Sequence, residues 1–223
     1  MPEKKTAEKD KPTDAPFPPA GATSKHTLKA GASRLSYSAI ADWITLRKIN
    51  KPVAHMYHTA YMAASAKPRP ITFVFNGGPG AASAYLHMGA LGPKRVAFGK
   101  NGSLPSPPTQ VVDNAETWLT FTDLVFIDPV GTGFSRAIED TPASDGKSGD
   151  NAKNTDPKEN AEFWEVEKDL ESLGEFIARF LSRHHRWTSP IYIAGESYGG
   201  FRVAKMAHAL AAHLGLGHLD AAA

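Results

Sequence analysis

The chain has 223 residues, and its 25 Lys and Arg nearly balance 23 Asp and Glu, leaving a formal charge of +2. That balance argues against nucleic acid as a partner, while 41% hydrophobic residues are enough to bury a core. The absence of Cys excludes disulfides, thiolate nucleophiles and cysteine metal sites, and the apolar runs are too short for a membrane span or a signal peptide.

Residues 1–25 hold five Lys, four acidic residues and five Pro, with little apolar beyond Phe17. Such a stretch cannot offset the entropy of ordering, so it reads as a disordered, solvated tail ahead of a single domain over 26–223. From Leu28 to Met62, alternating stretches at Arg34–Ser38, Trp43–Lys48 and Ala54–Tyr61 predict two or three antiparallel strands. Ile71–Phe75 is a β-branched and aromatic run that ends at Asn76-Gly77-Gly78-Pro79-Gly80, a buried strand entering a glycine loop. Leu124–Ile127 repeats the pattern before Asp128-Pro129-Val130-Gly131-Thr132-Gly133.

The segment 139–160 carries six acidic residues, three Lys, two Gly and two Pro and predicts a mobile polar insertion. Beyond it, Phe163, Val166, Leu170, Leu173, Ile177 and Phe180 recur at helical spacing, predicting a helix over about 161–183. Ile191–Ala194 reads as a third buried strand, and Val203, Met206, Ala207, Leu210 and Leu214 as the apolar face of a second helix. Strand, helix, strand, turn, helix implies an α/β fold with a mostly parallel sheet flanked by helices.

Gly195-Glu196-Ser197-Tyr198-Gly199-Gly200 lies between that third strand and second helix, which is the context that gives a G-x-S-x-G pattern its meaning. A serine in such a turn is lifted above the sheet on a strained backbone, which makes Ser197 the candidate nucleophile. The amide of Tyr198 opens the following helix, where unpaired N–H groups and the helix dipole favour a developing negative oxygen. The other half of an oxyanion hole must come from a neighbouring loop, and Gly77-Gly78 leaves the backbone bare enough for a substrate carbonyl to approach. Either glycine turn alone is equally an ordinary strand-to-helix connection; the two together favour a site.

The strings Phe75-Asn76-Gly77-Gly78-Pro79-Gly80, Gly89-Ala90-Leu91-Gly92-Pro93, Phe126–Ser135 and Gly195–Gly200 resemble, in order and approximate spacing, the serine carboxypeptidases. The resemblance covers about residues 70–215, and the strands before it look like those of bacterial members. It implies an α/β-hydrolase fold, a Ser, Asp and His triad, and release of C-terminal residues from peptides with a free C-terminus, usually at acidic pH; no cofactor or metal is expected, because the chain carries neither a zinc motif nor a complete nucleotide loop. It also implies a periplasmic or secreted setting.

Position by position, the resemblance makes Ser197 the nucleophile and the amides of Gly78 and Tyr198 the oxyanion donors. It gives the side chains of Asn76 and Glu196 the terminal carboxylate of the substrate, the glutamate being protonated so that it donates a hydrogen bond. Such a neutral acid explains an acidic optimum. Two further positions of that carboxylate-binding network, usually Trp and Glu, are Val74 and Ala90 here. Ala81 replaces a usual Cys, and a Gln usual between Asp128 and Pro129 is absent. An esterase or acyltransferase therefore stands as the alternative chemistry.

Only 26 residues follow Ser197, although triads on this fold run Ser, acid, His along the chain. His208, His213 and His218 lie on or just past the helix leaving the elbow, and Asp220 precedes no histidine. The expectation is an N-terminal part of a hydrolase that ends before the acid and base, with Ile191–Ala194 as an exposed sheet edge. An inactive product of a fragmented gene is the third reading.

The remaining features read as structure. His184-His185 beside Arg183 and Arg186 complement a helix C-terminus, and His55 and His58, three apart in a strand, face opposite sides and share no metal. Gly131-Thr132-Gly133 completes neither a dinucleotide fingerprint nor a phosphate loop. Asn101-Gly102-Ser103 is a formal glycosylation triplet. Phe163, Trp164, Phe176 and Phe180 read as packing, whereas Tyr198 and Phe201 fit a pocket wall and core packing equally.

Overall fold

The computed structural model describes residues 18–30, 33–99, 101–103, 107–138, 161–214 and 219–222. Residues 1–17 of the expected tail, the expected insertion at 139–160 and His218 lie outside the described residues. Strand β1 (Ala22–Ala30), β2 (Ser33–Lys48) and β3 (Lys51–Ala63) form an antiparallel meander. β1 takes over the last residues of the stretch expected to be a solvated tail: Ala22–Lys25 pair with Ala41–Ser38. Arg34–Ser38 and Trp43–Lys48, read as separate stretches, belong to one continuous 16-residue strand. A turn at Ile49 and Asn50, both at positive φ (48° and 65°), joins β2 to β3, the left-handed pair that matches strand twist in a two-residue hairpin.

The chain then passes through β4 (Ile71–Phe75), a π-helical turn (Leu86–Leu91), the two-stranded ribbon of β5 (Lys94–Val96) and β6 (Val111–Asp113), and β7 (Asp123–Ile127). The short β8 (Arg136–Ala137) pairs with β3. A 3-10 turn (Ala161–Trp164) leads into helix α1 (Val166–Arg183), followed by β9 (Ile191–Gly195), helix α2 (Tyr198–Leu214) and β10 (Leu219–Ala222).

The main sheet runs in the order β1-β2-β3-β7-β4-β9-β10, with β8 beside β3. β7, β4, β9 and β10 are mutually parallel, whereas β1 to β3 are antiparallel. The sheet is therefore mixed, not mostly parallel as expected. The reason is connection length: a two-residue turn permits only an antiparallel neighbour, whereas the parallel strands are linked by long crossovers. A second expectation fails at the other side. Ile191–Ala194 is not an edge, because Leu219–Ala222 pairs with it in parallel register, returning to the sheet after α2 as a βαβ unit.

Both faces of the central strands are buried, which is why they read as continuous apolar runs. On one face Ile44, Met56, Phe73 and Phe75 pack with Phe176, Ile177 and Phe180 of α1. On the other, Leu28, Tyr37, Tyr61, Val74, Leu119, Leu124 and Phe126 form a second cluster. Arg69 and Arg186 grip the buried Asp123 carboxylate at 3.0 and 2.7 Å, tying the start of β7 to the segments that enter β4 and β9. Among the described residues no helix is long and apolar enough to cross a membrane.

The two strand histidines are divided as their spacing requires. His55 Nδ1 lies 3.0 Å from Thr45 Oγ1, while His58 is fully buried between Phe176 and Phe180, at ring distances of 5.3 and 5.2 Å. Burial, reinforced by the cationic forms of His184 and Arg183, pushes the His58 pKa down to about 3, and burial alone takes His87 to about 4. Both are neutral in the fold and protonate near pH 6.5 when unfolded. Their contribution to stability is therefore complete above pH 6.5 and is lost as pH falls towards 4, at about 1.4 kcal/mol per pH unit for each. His58 ring nitrogens have no hydrogen-bond partner among the described residues, so His58→Phe should leave stability at pH 7 within about 1 kcal/mol of wild type. It should also reduce the loss between pH 7 and pH 5 by about 2 kcal/mol, as read from urea midpoints at the two pH values.

Candidate active site

β4 and β9 are adjacent and parallel, with Phe75 paired to Gly195. Their C-terminal ends therefore open at the same place, and the loops that follow, Asn76–Gly80 and Glu196–Ser197, must meet there. This crevice beyond the carboxyl ends of parallel strands is where α/β sheets hold ligands.

Ser197 sits at φ 56°, in the left-handed region, a conformation that costs a non-glycine residue free energy and persists only where the surroundings impose it. The surroundings are backbone. A Cβ on Gly195 would run into the carbonyl of Gly199, and one on Gly199 into the carbonyl of Phe75. The chain must turn this tightly because helix α2 starts at the next residue, Tyr198. As the first residue of that helix, Tyr198 presents an amide without an intrahelical acceptor. Ser197 and Glu196 are exposed at the tip, and Tyr198 is half-buried.

The glycine loop presses against this elbow. A Cβ on Gly77 would stand 2.6 Å from the Tyr198 nitrogen, 2.8 Å from the Glu196 oxygen and 2.9 Å from Ser197 Cβ. Gly77 is buried and Gly78, at φ 115°, is exposed. The buried Asn76 accepts from the Leu86 amide through Oδ1 (3.0 Å), which turns its Nδ2 towards Glu196 Oε2 at 3.3 Å. All five candidate residues, Asn76, Gly78, Glu196, Ser197 and Tyr198, thus belong to two loops in direct contact.

The loop after β7 holds the segment that follows the glycine loop. Asp128 accepts from the amides of Ser83 (3.0 Å) and Phe134 (3.3 Å), and Ser135 Oγ donates to its carbonyl at 2.7 Å. Burial raises the Asp128 pKa above the usual carboxylate value, an effect that those two amides and Arg136 oppose. The exposed Phe134 ring stacks edge-on against Tyr57, which in turn packs on Trp43.

Other candidates lie elsewhere. His208 and His213 stand about 15 Å and about 22 Å along the axis of α2 from its first residue. Asp220 pairs with Tyr192, near the start of β9 rather than its C-terminal end. Neither the acid nor the base of a triad is brought to Ser197 among the described residues. Val74 is buried in the second core cluster and Ala90 is exposed on the π-helical turn. Tyr198 and Phe201 pack on each other at 5.0 Å, with Phe201 partly exposed. No group of three or more His, Asp or Glu side chains suited to a metal occurs among the described residues.

Two residues at the site escaped the sequence reading. Arg202 Nε and Nη2 donate to the Asp169 carboxylate at 2.7 and 3.1 Å, and its Nη1 donates to the Asn76 carbonyl at 2.9 Å, all of it buried. The signal was present: each is a charge on the apolar face of its helix, Asp169 three residues after Val166 and four before Leu173, and Arg202 four residues before Met206. Such a charge calls for a buried partner.

Because Gly77 has no room for a side chain, Gly77→Ala should force the loop off the elbow and cost about 1–3 kcal/mol. Urea denaturation of the variant checks this, and an unchanged midpoint would mean that the contact is looser than described.

Residues 33–215 match the serine carboxypeptidase family. The chain is 32% identical over 163 residues to serine carboxypeptidase-like 36 of Arabidopsis thaliana, a match covering 71% of this chain and 28% of that protein. It is 31% identical over 165 residues to the retinoid-inducible serine carboxypeptidase of Mus musculus, covering 71% and 29%. With the pheromone-processing carboxypeptidase kex1 of Sclerotinia sclerotiorum it shares 32% over 126 residues, covering 56% and 16%. These matches span about a third or less of the length of the curated relatives.

Proposed function

Given that the chain belongs to the serine carboxypeptidase family, we propose that it carries the nucleophile and oxyanion hole of an α/β-hydrolase that releases C-terminal residues from peptides. Ser197 Oγ attacks the scissile carbonyl carbon, and the amides of Gly78 and Tyr198 donate to the oxygen that gains negative charge. Collapse of the tetrahedral intermediate breaks the C–N bond, and the leaving amino acid departs with a proton. Water then hydrolyses the acyl-enzyme and regenerates Ser197. The observation that carries this reading is the left-handed Ser197, exposed at the head of α2 with Gly77 packed against it.

Asn76 and Glu196 take the substrate carboxylate in this reading. It is supported by their side chains meeting at 3.3 Å beside the serine, with the amide nitrogen of Asn76 turned towards Glu196 by the Leu86 contact. No residue of this chain is assigned as the base that activates Ser197; His208 and His213 are carried away from it by α2. In the chain order of such triads the acid and then the base follow the nucleophile.

A second reading, ester hydrolysis or acyl transfer, is favoured by Val74 and Ala90. The first has its side chain in the core and the second is a bare methyl, so neither adds a hydrogen bond to a substrate carboxylate.

The complete protein carrying this chain should hydrolyse an N-blocked dipeptide with a free C-terminal carboxylate faster than the corresponding amide. Equal rates on both would favour the second reading. Ser197→Ala should lower kcat/KM by about 10⁴-fold or more and abolish covalent labelling by a fluorophosphonate; labelling that persists in this variant would remove Ser197 from the mechanism. Glu196→Ala should raise KM for the free-carboxylate substrate by about tenfold, the loss of one hydrogen bond to a charged group, and leave the blocked substrate unaffected.

A further inference from the structure

The buried pair of Arg202 and Asp169 presents an energetic puzzle. Withdrawing two charges from water is expensive, and apolar side chains of similar size are commonly at least as good for stability. Leucine and methionine would fit the apolar faces of α1 and α2 on which these residues lie. The pair makes sense through its third arm. Arg202 uses Nε and Nη2 for the carboxylate, leaving Nη1 to donate to the carbonyl of Asn76 at 2.9 Å. Asp169, on α1, thereby fixes the plane of the guanidinium, and the guanidinium fixes the carbonyl.

That carbonyl belongs to the same peptide plane as the Gly77 amide. In a trans peptide the two point in opposite directions, so holding the oxygen aims the N–H. The next plane is held similarly: the carbonyl of Gly77 accepts from the Ala81 amide at 3.2 Å, which directs the Gly78 amide the other way. Glycine neighbours impose little resistance to a peptide flip, so the orientation of these planes depends on what grips their oxygens. The same Arg202 lies under the ring of Tyr198, with its guanidinium carbon 5.0 Å from the ring centroid. One side chain thus touches Tyr198, which bears one proposed oxyanion donor, and the peptide plane immediately before the one that bears the other, the Gly78 amide.

We propose that Arg202, oriented by Asp169, is a positioning residue that latches the Asn76–Gly77 peptide and so fixes the plane from which the following Gly77–Gly78 peptide directs its amide at the oxyanion. The inference rests on the hydrolytic reading above for its catalytic consequence, but not for its structural one. Lysine cannot replace arginine here. A single ammonium can meet the carboxylate, but it lacks the planar fork that serves a carboxylate and a carbonyl together.

The test compares wild type, Arg202→Lys and the double variant Asp169→Leu/Arg202→Met in the complete protein, with three readouts. In both variants, hydrogen exchange in the peptide spanning residues 76–87 should accelerate at least tenfold, while peptides from β2 and β3 remain unchanged. kcat should fall about 10- to 100-fold with KM within threefold, because the latch acts on the oxygen that charges in the transition state. The melting temperature of the double variant should stay within about 5 °C of wild type, since an apolar pair replaces the ionic one. Wild-type exchange over 76–87 in Arg202→Lys would overturn the latch, whatever the activity and even if the double variant does not fold. Faster exchange with an unchanged kcat would overturn its role in positioning. A wild-type protein that neither turns over peptides nor labels at Ser197 would defeat the hydrolytic reading instead, and the exchange data would still decide the latch.

Discussion

The contact between the glycine loop and the elbow is the constraint on which the site depends. Gly77 lies against the Tyr198 nitrogen and Ser197 Cβ, and Gly199 lies against the Phe75 carbonyl, with no space for a methyl group at either place. Two backbones can approach this closely only if the strands that deliver them are neighbours in the same direction. The parallel pairing of β4 with β9 supplies this, with Phe75 opposite Gly195. Everything chemical follows from that juxtaposition: an exposed hydroxyl, a helix-initial amide and a bare glycine amide gathered within two loops.

The elbow is also where the fold stores strain. Ser197 occupies a left-handed conformation that would relax in an isolated peptide. It is held because β9 is buried on both faces and α2 is anchored by Val203 and Met206 in the core. Packing far from the hydroxyl thus maintains its exposure. The loop after β7 serves a related purpose, since Asp128 gathers the amides of Ser83 and Phe134 and so ties a third strand end to the segment that follows the glycine loop.

Charge is used sparingly inside this protein, and in each case it joins separate segments. Asp123 unites Arg69 and Arg186 at one end of the sheet, and Asp169 unites with Arg202 beneath the glycine loop at the other. The buried histidines are used differently. His58 and His87 are held neutral by desolvation, which makes them structural aromatic rings with a latent sensitivity to acid.

The turn that lifts Ser197, the two glycine loops, the buried strands and the first helix were all legible in the sequence. Each of these is written in local terms: an apolar run of the right length, a period of 3.6, or a glycine where the backbone must turn. Tertiary structure alone decided what those signals leave open. The strand order placed β7 between β3 and β4, and the short segment Leu219–Ala222 covered what the sequence made an edge. Residues 22–25, polar enough to read as a solvated tail, became part of a strand because β2 offered a free ladder of hydrogen bonds. That Arg202 and Asp169 each need a buried partner is a sequence signal, but that they find each other was left open, because they are 33 residues apart on different helices. Such choices depend on which surfaces meet once the chain has collapsed, and no local spacing encodes a meeting between segments remote in sequence.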